Sequence, residues 1–340
     1  MSRTLKATLG VASALLLTTA VASAQSPAEF YKGKTITILI AGTPGGGFDT
    51  SARTMAQYYG RFVPGNPNVM AQNMPGGGGL VAGNHLYNVA AKDGTVLGYV
   101  GPIAVDPLLN PGGNARFEAT KFSWIGSLGN THSVLAVWHQ APTKTAEDLF
   151  IKETIVAGTG AAATTDIYPK VLNAILGTKF KLITGYQGSR ETFIAIERGE
   201  AHGRFASVDS MQTAVPQLLV DKKLIIMLQA SIKRHPDYPD VPTAFEIAKT
   251  PEQKQAMTFI FAPSEAGRPI AGPPNLPADR LKALREAFVA MTSDAEYKAD
   301  ANKRGLDPQG PMSGEEVAAL YAQVYETPKA VIDQVAAAMK

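Results

Sequence analysis

The sequence predicts an α/β protein of two lobes, each a mostly parallel sheet flanked by helices. Three observations carry that reading. Short β-branched or apolar runs alternate with helical stripes along most of the chain, the pattern of parallel sheets covered by helices. The alternation occurs as two sets, over residues 35–101 and again over 133–229. The chain has 340 residues, 45% hydrophobic and 18% charged, more than one compact core usually supports, so two domains of roughly 100–200 residues are the default.

The elements follow in order. Arg3 and Lys6 precede an apolar run over 9–22, and Ala22-Ser23-Ala24 supplies a small-x-small cleavage pattern. Residues 1–24 therefore read as a signal peptide, with a mature chain from Gln25. The run is shorter than the roughly 20 apolar residues of a membrane span. Residues 35–41 (Thr-Ile-Thr-Ile-Leu-Ile-Ala) have the near-continuous apolarity of a strand covered on both faces. Ala52, Met55, Ala56, Tyr59 and Val63 then form a helical stripe. A strand over 68–73, a helix carrying Ala82, Leu86, Val89 and Ala90, and a strand over 95–101 complete the first set. The second set comprises strands over 134–138, 154–158, 180–186, 202–208 and 224–229, with helices over 145–151, up to 176 and over 189–198. Residues 234–242, with three prolines, cannot be regular. Beyond them the pattern predicts a strand over 259–263, an extended loop over 263–277 and helices over 277–292 and up to 305. A long last helix is opened by the capping-box spacing Ser313-Gly314-Glu315-Glu316. No sequence repeat is visible.

Composition excludes several functions. With no cysteine, disulfides, thiolate metal sites and lipidation at an N-terminal cysteine are ruled out. The net charge of +3 falls to +1 once Arg3 and Lys6 leave with the leader, no basis for a nucleic-acid face.

The two glycine loops are the chemical signal. Residues 42–49 read Gly-Thr-Pro-Gly-Gly-Gly-Phe-Asp and residues 74–79 read Met-Pro-Gly-Gly-Gly-Gly, each between a strand and a helix. Neither gives a P-loop or a dinucleotide fingerprint in register, so no cofactor is called for. A side-chain-free loop entering a helix presents free N–H groups and the positive end of the dipole, which suits carboxylate or phosphate. Two such loops on neighbouring strands would lie together at the strands' carboxyl ends, where open α/β sheets bind ligands. The alternative is a pair of tight turns that merely need positive φ. Asp49 is read as the N-cap of its helix, with a second role open to it in orienting the loop amides. Phe48 either packs beneath the loop or walls the cleft. Catalytic readings fare worse. The five histidines have no metal-ligand spacing, no G-x-S-x-G elbow is present, and paired carboxylates sit at helix starts, where the dipole accounts for them.

Tyr31-x-Gly33-Lys34, Pro44 to Asp49 with Arg53, Asn73 to Gly79, Asp93-Gly94-Thr95, Gly185 to Ser189, Arg234-x-Pro236 and Pro239 to Thr243 with Glu246 occur in this order. Together they resemble the tripartite tricarboxylate transporter substrate-binding receptors, the TctC-like or Bug family, from about residue 30 to the C-terminus. The resemblance implies a periplasmic, monomeric receptor without cofactor, of the Venus-flytrap (type II periplasmic-binding-protein) fold. Its lobes would be residues 25–132 with 255–340, and 133–254, closing on a small carboxylate that is passed to a two-subunit membrane permease. The implied ligand contacts are Thr43, Gly45, Gly46, Gly47, Phe48 and Asp49, then Gly76, Gly77, Gly78 and Gly79, and from the second lobe Thr159, Gly160, Thr164, Thr165, Tyr186 and Ser207. Two departures bear on the ligand. Ala206 stands where many relatives have an aspartate able to hold an ammonium group, and the 158–165 loop is rich in alanine. Both favour a purely anionic or aromatic carboxylate over an amino acid. Arg204 offers a cation for a second carboxylate, or faces away from Ser207 by strand alternation. The competing expectations are an anion receptor feeding an ATP-driven importer, and a secreted α/β hydrolytic enzyme.

Overall fold

The computed structural model describes residues 25–101, 103–306 and 310–339. The expected signal peptide over 1–24 lies outside the described residues. The strands are β1 (Thr35–Ile40), β2 (Asn68–Asn73), β3 (Val96–Tyr99), β4 (Ser123–Ser127), β5 (Ser133–Trp138), β6 (Thr154–Ala157), β7 (Phe180–Ile183), β8 (Gly203–Ser207), β9 (Leu224–Ala230), β10 (Pro269–Gly272) and β11 (Met312–Ser313). They form two sheets, of order β11-β4-β10-β3-β1-β2 and β7-β6-β8-β5-β9.

Within each sheet one half is parallel: β1 pairs with β2 and β3, and β6 with β7 and β8. The other half is antiparallel, through β10 and β4 in the first sheet and β5 and β9 in the second. The sheets are thus mixed rather than mostly parallel. The reason is the path of the chain, which crosses from the first sheet to the second through 128–132 and returns through 262–268. The strand that follows each crossing, β5 or β10, enters its sheet in the opposite sense. The crossings run side by side, with Thr131 N–H donating to Ser264 O (2.8 Å) and Arg268 N–H to Gly129 O (3.2 Å). The orders β2-β1-β3-β10-β4 and β7-β6-β8-β5-β9 match strand for strand, a repeat of topology that the sequence does not display.

Each sheet carries its own core. Ile36, Ile38 and Ile40 of β1 are fully buried against Met55 and Tyr59 of the helix Gly47–Tyr59. Leu135 and Val137 of β5 and Phe205 of β8 are buried against Val171 and Leu172 of the helix Thr164–Leu176. Burying one such side chain stabilises by about 1.5–3 kcal/mol. The last helix, Lys329–Ala338, places Val331 and Val335 in the core of the second sheet.

Several elements differ from the sequence expectation. The strand expected over 259–263 is the end of the helix Pro251–Phe261, opened by a Thr250/Gln253 capping box with Pro251 in the first turn. Its apolar end fits either periodicity. The loop expected over 263–277 contains β10, a central strand that begins at Pro269, where a missing N–H is tolerated. β4, fully buried, was not anticipated. The long last helix is two, Gly314–Tyr325 and Lys329–Ala338, separated before Pro328. The Ser313/Glu316 capping box is present as expected. Val89 lies beyond its helix and is 68% exposed.

Candidate functional site

Because β1 and β2 are parallel neighbours, the loops that follow them emerge side by side. The first enters the helix Gly47–Tyr59 through Gly46, whose extended backbone (φ −91°, ψ 169°) occupies the N-cap without any side-chain cap. Asp49 is therefore not the N-cap but the third helical residue. Its carboxylate turns back to accept from Gly45 N–H (3.0 Å), Arg53 Nε (2.9 Å) and Asn73 Nδ2 (2.8 Å). Asn73 Nδ2 also donates to Gly42 O (2.9 Å), tying the end of β2 to the first loop. Burial opposes the charge on Asp49, yet these donors outweigh it and hold the carboxyl below its ordinary pKa. The second loop has four successive glycines at positive φ, Gly76 to Gly79 at 132°, 59°, 72° and 109°, a run that side-chain-bearing residues do not adopt. It opens the helix Leu80–Asn88, again without a side-chain cap.

The second lobe repeats this device after β6. Asp166, third residue of the helix Thr164–Leu176, accepts from Gly160 N–H (3.0 Å) as Asp49 accepts from Gly45. Asp166 also accepts from the Thr184 hydroxyl at the end of β7. Thr165 Oγ1 receives Thr159 N–H (3.0 Å), closing the loop on itself. After β7, the helix Ser189–Glu197 starts at Gly188, also uncapped. Four helices, two from each lobe, therefore open uncapped around one space. Side-chain caps are present at Ser26, Thr243, Thr250, Asp294 and Ser313, while the helices after Val105, Ser207, Val215, Pro277 and Pro328 also lack one. What sets the four apart is that they open together on one space through side-chain-poor loops.

That space is a cavity of about 500 Å³, of a size suited to a small ligand. The lobes meet around it backbone to backbone. A Cβ on Gly160 would lie 2.8 Å from Gly78 N, one on Gly78 would overlap Ala163 N, and one on Gly47 would lie 2.9 Å from Ser210 Cα. The Arg268–Asp209 ion pair, buried on both sides, joins the returning crossing to the helix Val208–Ala214.

Of the residues implied to bind ligand, Thr43, Gly46, Gly47, Phe48, Gly76 to Gly79, Thr159, Gly160, Thr164, Thr165 and Tyr186 line the cavity. Gly45, Asp49 and Ser207 lie outside the lining. Gly45 and Asp49 are engaged with each other, and Ser207 occupies the N-cap position of the next helix. Phe48 fills both roles open to it, stacked on Tyr99 (centroids 4.8 Å) with an edge on the cavity. Strand alternation does set Arg204 opposite Ser207, but Arg204 is the one that reaches the lining. Thr184, Ser189 and Ser210 line it too and were not expected; Ser189 sits in the Gly185–Ser189 stretch quoted for the resemblance, which was the available signal.

Arg204 is the single charged residue among the described lining residues. It is 4% exposed. Its Nε donates to Phe205 O (3.0 Å), and its Nη1 to Ser189 O (3.1 Å) and to the Thr192 hydroxyl. Its guanidinium lies 4.9 Å from the centre of the Phe193 ring. Burial lowers its pKa to about 10, which leaves it cationic at neutral pH.

A profile of the family described as "Tripartite tricarboxylate transporter family receptor" matches residues 60–336. The UPF0065 protein in the TAR-I ttuE-ttuC' intergenic region of Agrobacterium vitis is 25% identical over 258 residues, 74% of this chain and 71% of that protein. Among solved structures, the periplasmic binding protein BugD superposes with a TM-score of 0.69 at 19% identity, over 90% of this chain and 97% of that one. MatC from Rhodopseudomonas palustris with bound malate superposes with a TM-score of 0.67 at 21% identity, over 89% and 99%. Both establish the two-lobed fold.

Proposed function

The chain belongs to the tripartite tricarboxylate transporter family of receptors, and we propose that it is a periplasmic receptor, not an enzyme, that captures a small carboxylate between its lobes. The observation that carries this reading is the set of four uncapped helix N-termini around one cavity. Their first N–H groups have no side-chain cap and their dipoles converge on one space, so an anion placed there would satisfy them. The glycines let a carboxylate approach the main chain, with Thr43 and Tyr186 as flanking donors. The lobes, residues 25–132 with 255–340 and 133–254, close about the two crossings, except that the helix Lys329–Ala338 of the first range packs on the second sheet and moves with it. Malate in a structural neighbour supports the ligand class. A two-subunit membrane permease then takes the ligand from the monomeric receptor.

Thermal denaturation with a panel of organic acids tests the reading. A ligand at 100 times its Kd stabilises by about 2.7 kcal/mol. Gly46→Val fits the backbone there (φ −91°), and its Cβ would meet Ser189 and Thr43 only at ordinary contact distance, 3.8–4.0 Å, so it should keep the ligand-free melting temperature and lose the ligand-induced rise. Binding that survives both this change and Gly77→Val would refute the main-chain site. Ligand-dependent uptake by cells expressing receptor and permease, and its loss without either, tests delivery.

A further inference from the structure

A buried guanidinium normally has a carboxylate partner, because desolvating an unpaired charge is costly. Arg204 has none among the described residues. Its described partners are two carbonyls, one hydroxyl and one ring, and burial alone accounts for its lowered pKa, with no neighbouring acid raising it. The acids of the same helix, Glu191 and Glu197, make no ion pair with Arg204 among the described residues; the Oε2 of Glu191 is buried beside Gly188.

The bonds that hold Arg204 are all on one side. They use Nε and Nη1 and fix the plane of the guanidinium against the first turn of the helix Ser189–Glu197, leaving Nη2 without a hydrogen-bond partner among the described residues on a side chain that lines the cavity. Ser189 sets the position: its carbonyl receives Nη1, while its hydroxyl lies 3.8 Å from where a Cβ on Gly46 would be. The cation therefore stands in the wall facing the first glycine loop, in the opposite lobe. No lining residue supplies a negative charge that could hold an ammonium group.

We propose that Arg204 receives a second anionic group of the ligand, so that this receptor selects dianions, with one carboxylate on the glycine-loop amides and the other on the Arg204 guanidinium. The inference rests on the carboxylate reading of the same cleft. It adds a specificity determinant in the second lobe that discriminates by charge number, and a contact that a ligand makes only when the lobes are closed.

Isothermal titration with matched acids tests it, malate and succinate as dianions against butanoate and lactate as monoanions, on the wild type and on Arg204→Met and Arg204→Lys. Charge-assisted contacts are among the stronger ones. Arg204→Met should therefore weaken dianions by at least about tenfold, equivalent to about 1.4 kcal/mol, and change monoanions by less than about twofold. Arg204→Lys should restore part of the dianion affinity, which a packing role for the side chain would not predict. Unchanged dianion affinity in Arg204→Met, or equal losses for both classes, overturns the proposal while leaving the carboxylate receptor intact. If the wild type binds none of the acids and Gly46→Val changes nothing, the receptor reading falls and takes this inference with it. Should Arg204→Met fail to fold, Arg204→Lys decides: a dianion-to-monoanion affinity ratio equal to that of the wild type in 20 and 200 mM salt supports charge pairing, and a ratio of one in the wild type refutes it.

Discussion

At the scale of single residues, the carboxylates near the cleft act on the protein's own amides. Asp49 and Asp166 each sit at the third position of a helix and draw back a loop N–H, so the anionic side chains organise the loops without entering the cavity. The pKa of Asp49 is lowered on folding, so its contribution is present above the unfolded carboxyl value, about 3.9, and is lost as pH falls through the lower folded value. Asp49→Asn should cost about 1.5–3 kcal/mol at neutral pH, the range for hydrogen bonds to a charged group. In urea denaturation the gap between variant and wild type should persist above pH 5 and close as the pH is lowered below about 4; a gap independent of pH would show that the charge of Asp49 is not what holds the loop. Such a residue is hard to place from sequence. An acid at the start of a helix is consistent with N-cap, third-residue brace or ligand contact, and only the backbone of Gly45 and Gly46 distinguishes them.

At the scale of elements, what marks the cavity helices is where they open, since helices after Pro277 and Pro328 also start without a side-chain cap. Thr250 and Ser313 close their helices internally, whereas Gly46 and Gly188 leave theirs open to the cavity. Gly46→Asp should therefore supply the missing cap. Glycine and aspartate differ by only a few tenths of a kcal/mol at this position, so the ligand-free protein should melt within a degree or two of wild type. Carboxylate binding should vanish, because an internal carboxylate now occupies the same amides; retained binding would show that these N–H groups are not the donors that hold the ligand. The parallel strands and both glycine loops were legible in the sequence, since β-branched runs and glycine clusters declare themselves locally. β4, β10 and the helix Pro251–Phe261 were not. The short run of β10, bounded by Pro269 and Pro273, satisfies strand and loop alike, and the sheet into which it inserts is assembled from residues far away in the chain. Arg204 was visible as a residue, but its direction depends on the helix stacked above it.

At the scale of the molecule, the two lobes touch where glycines allow it. Gly47 has an ordinary backbone, yet a Cβ there would lie 2.9 Å from Ser210 Cα in the opposite lobe. Gly47→Ala should leave each lobe folded, alanine being the better helix former by about 1 kcal/mol, and should wedge the lobes apart. Small-angle scattering with saturating malate should show contraction for the wild type and none for the variant, whose affinity should fall at least about tenfold; equal contraction would mean that the lobes pack in some other way. The matching strand orders of the two sheets place equivalent helix N-termini opposite one another, so closure doubles the number of amides around the ligand. Because those donors belong to the main chain, ordinary coding changes cannot delete them. Replacing a glycine obstructs the site but leaves every N–H in place, and only proline removes one. On the proposed reading, a change of specificity would have to come from the side-chain-bearing wall opposite, where exchanging one residue retunes what is accepted and leaves the grip in place.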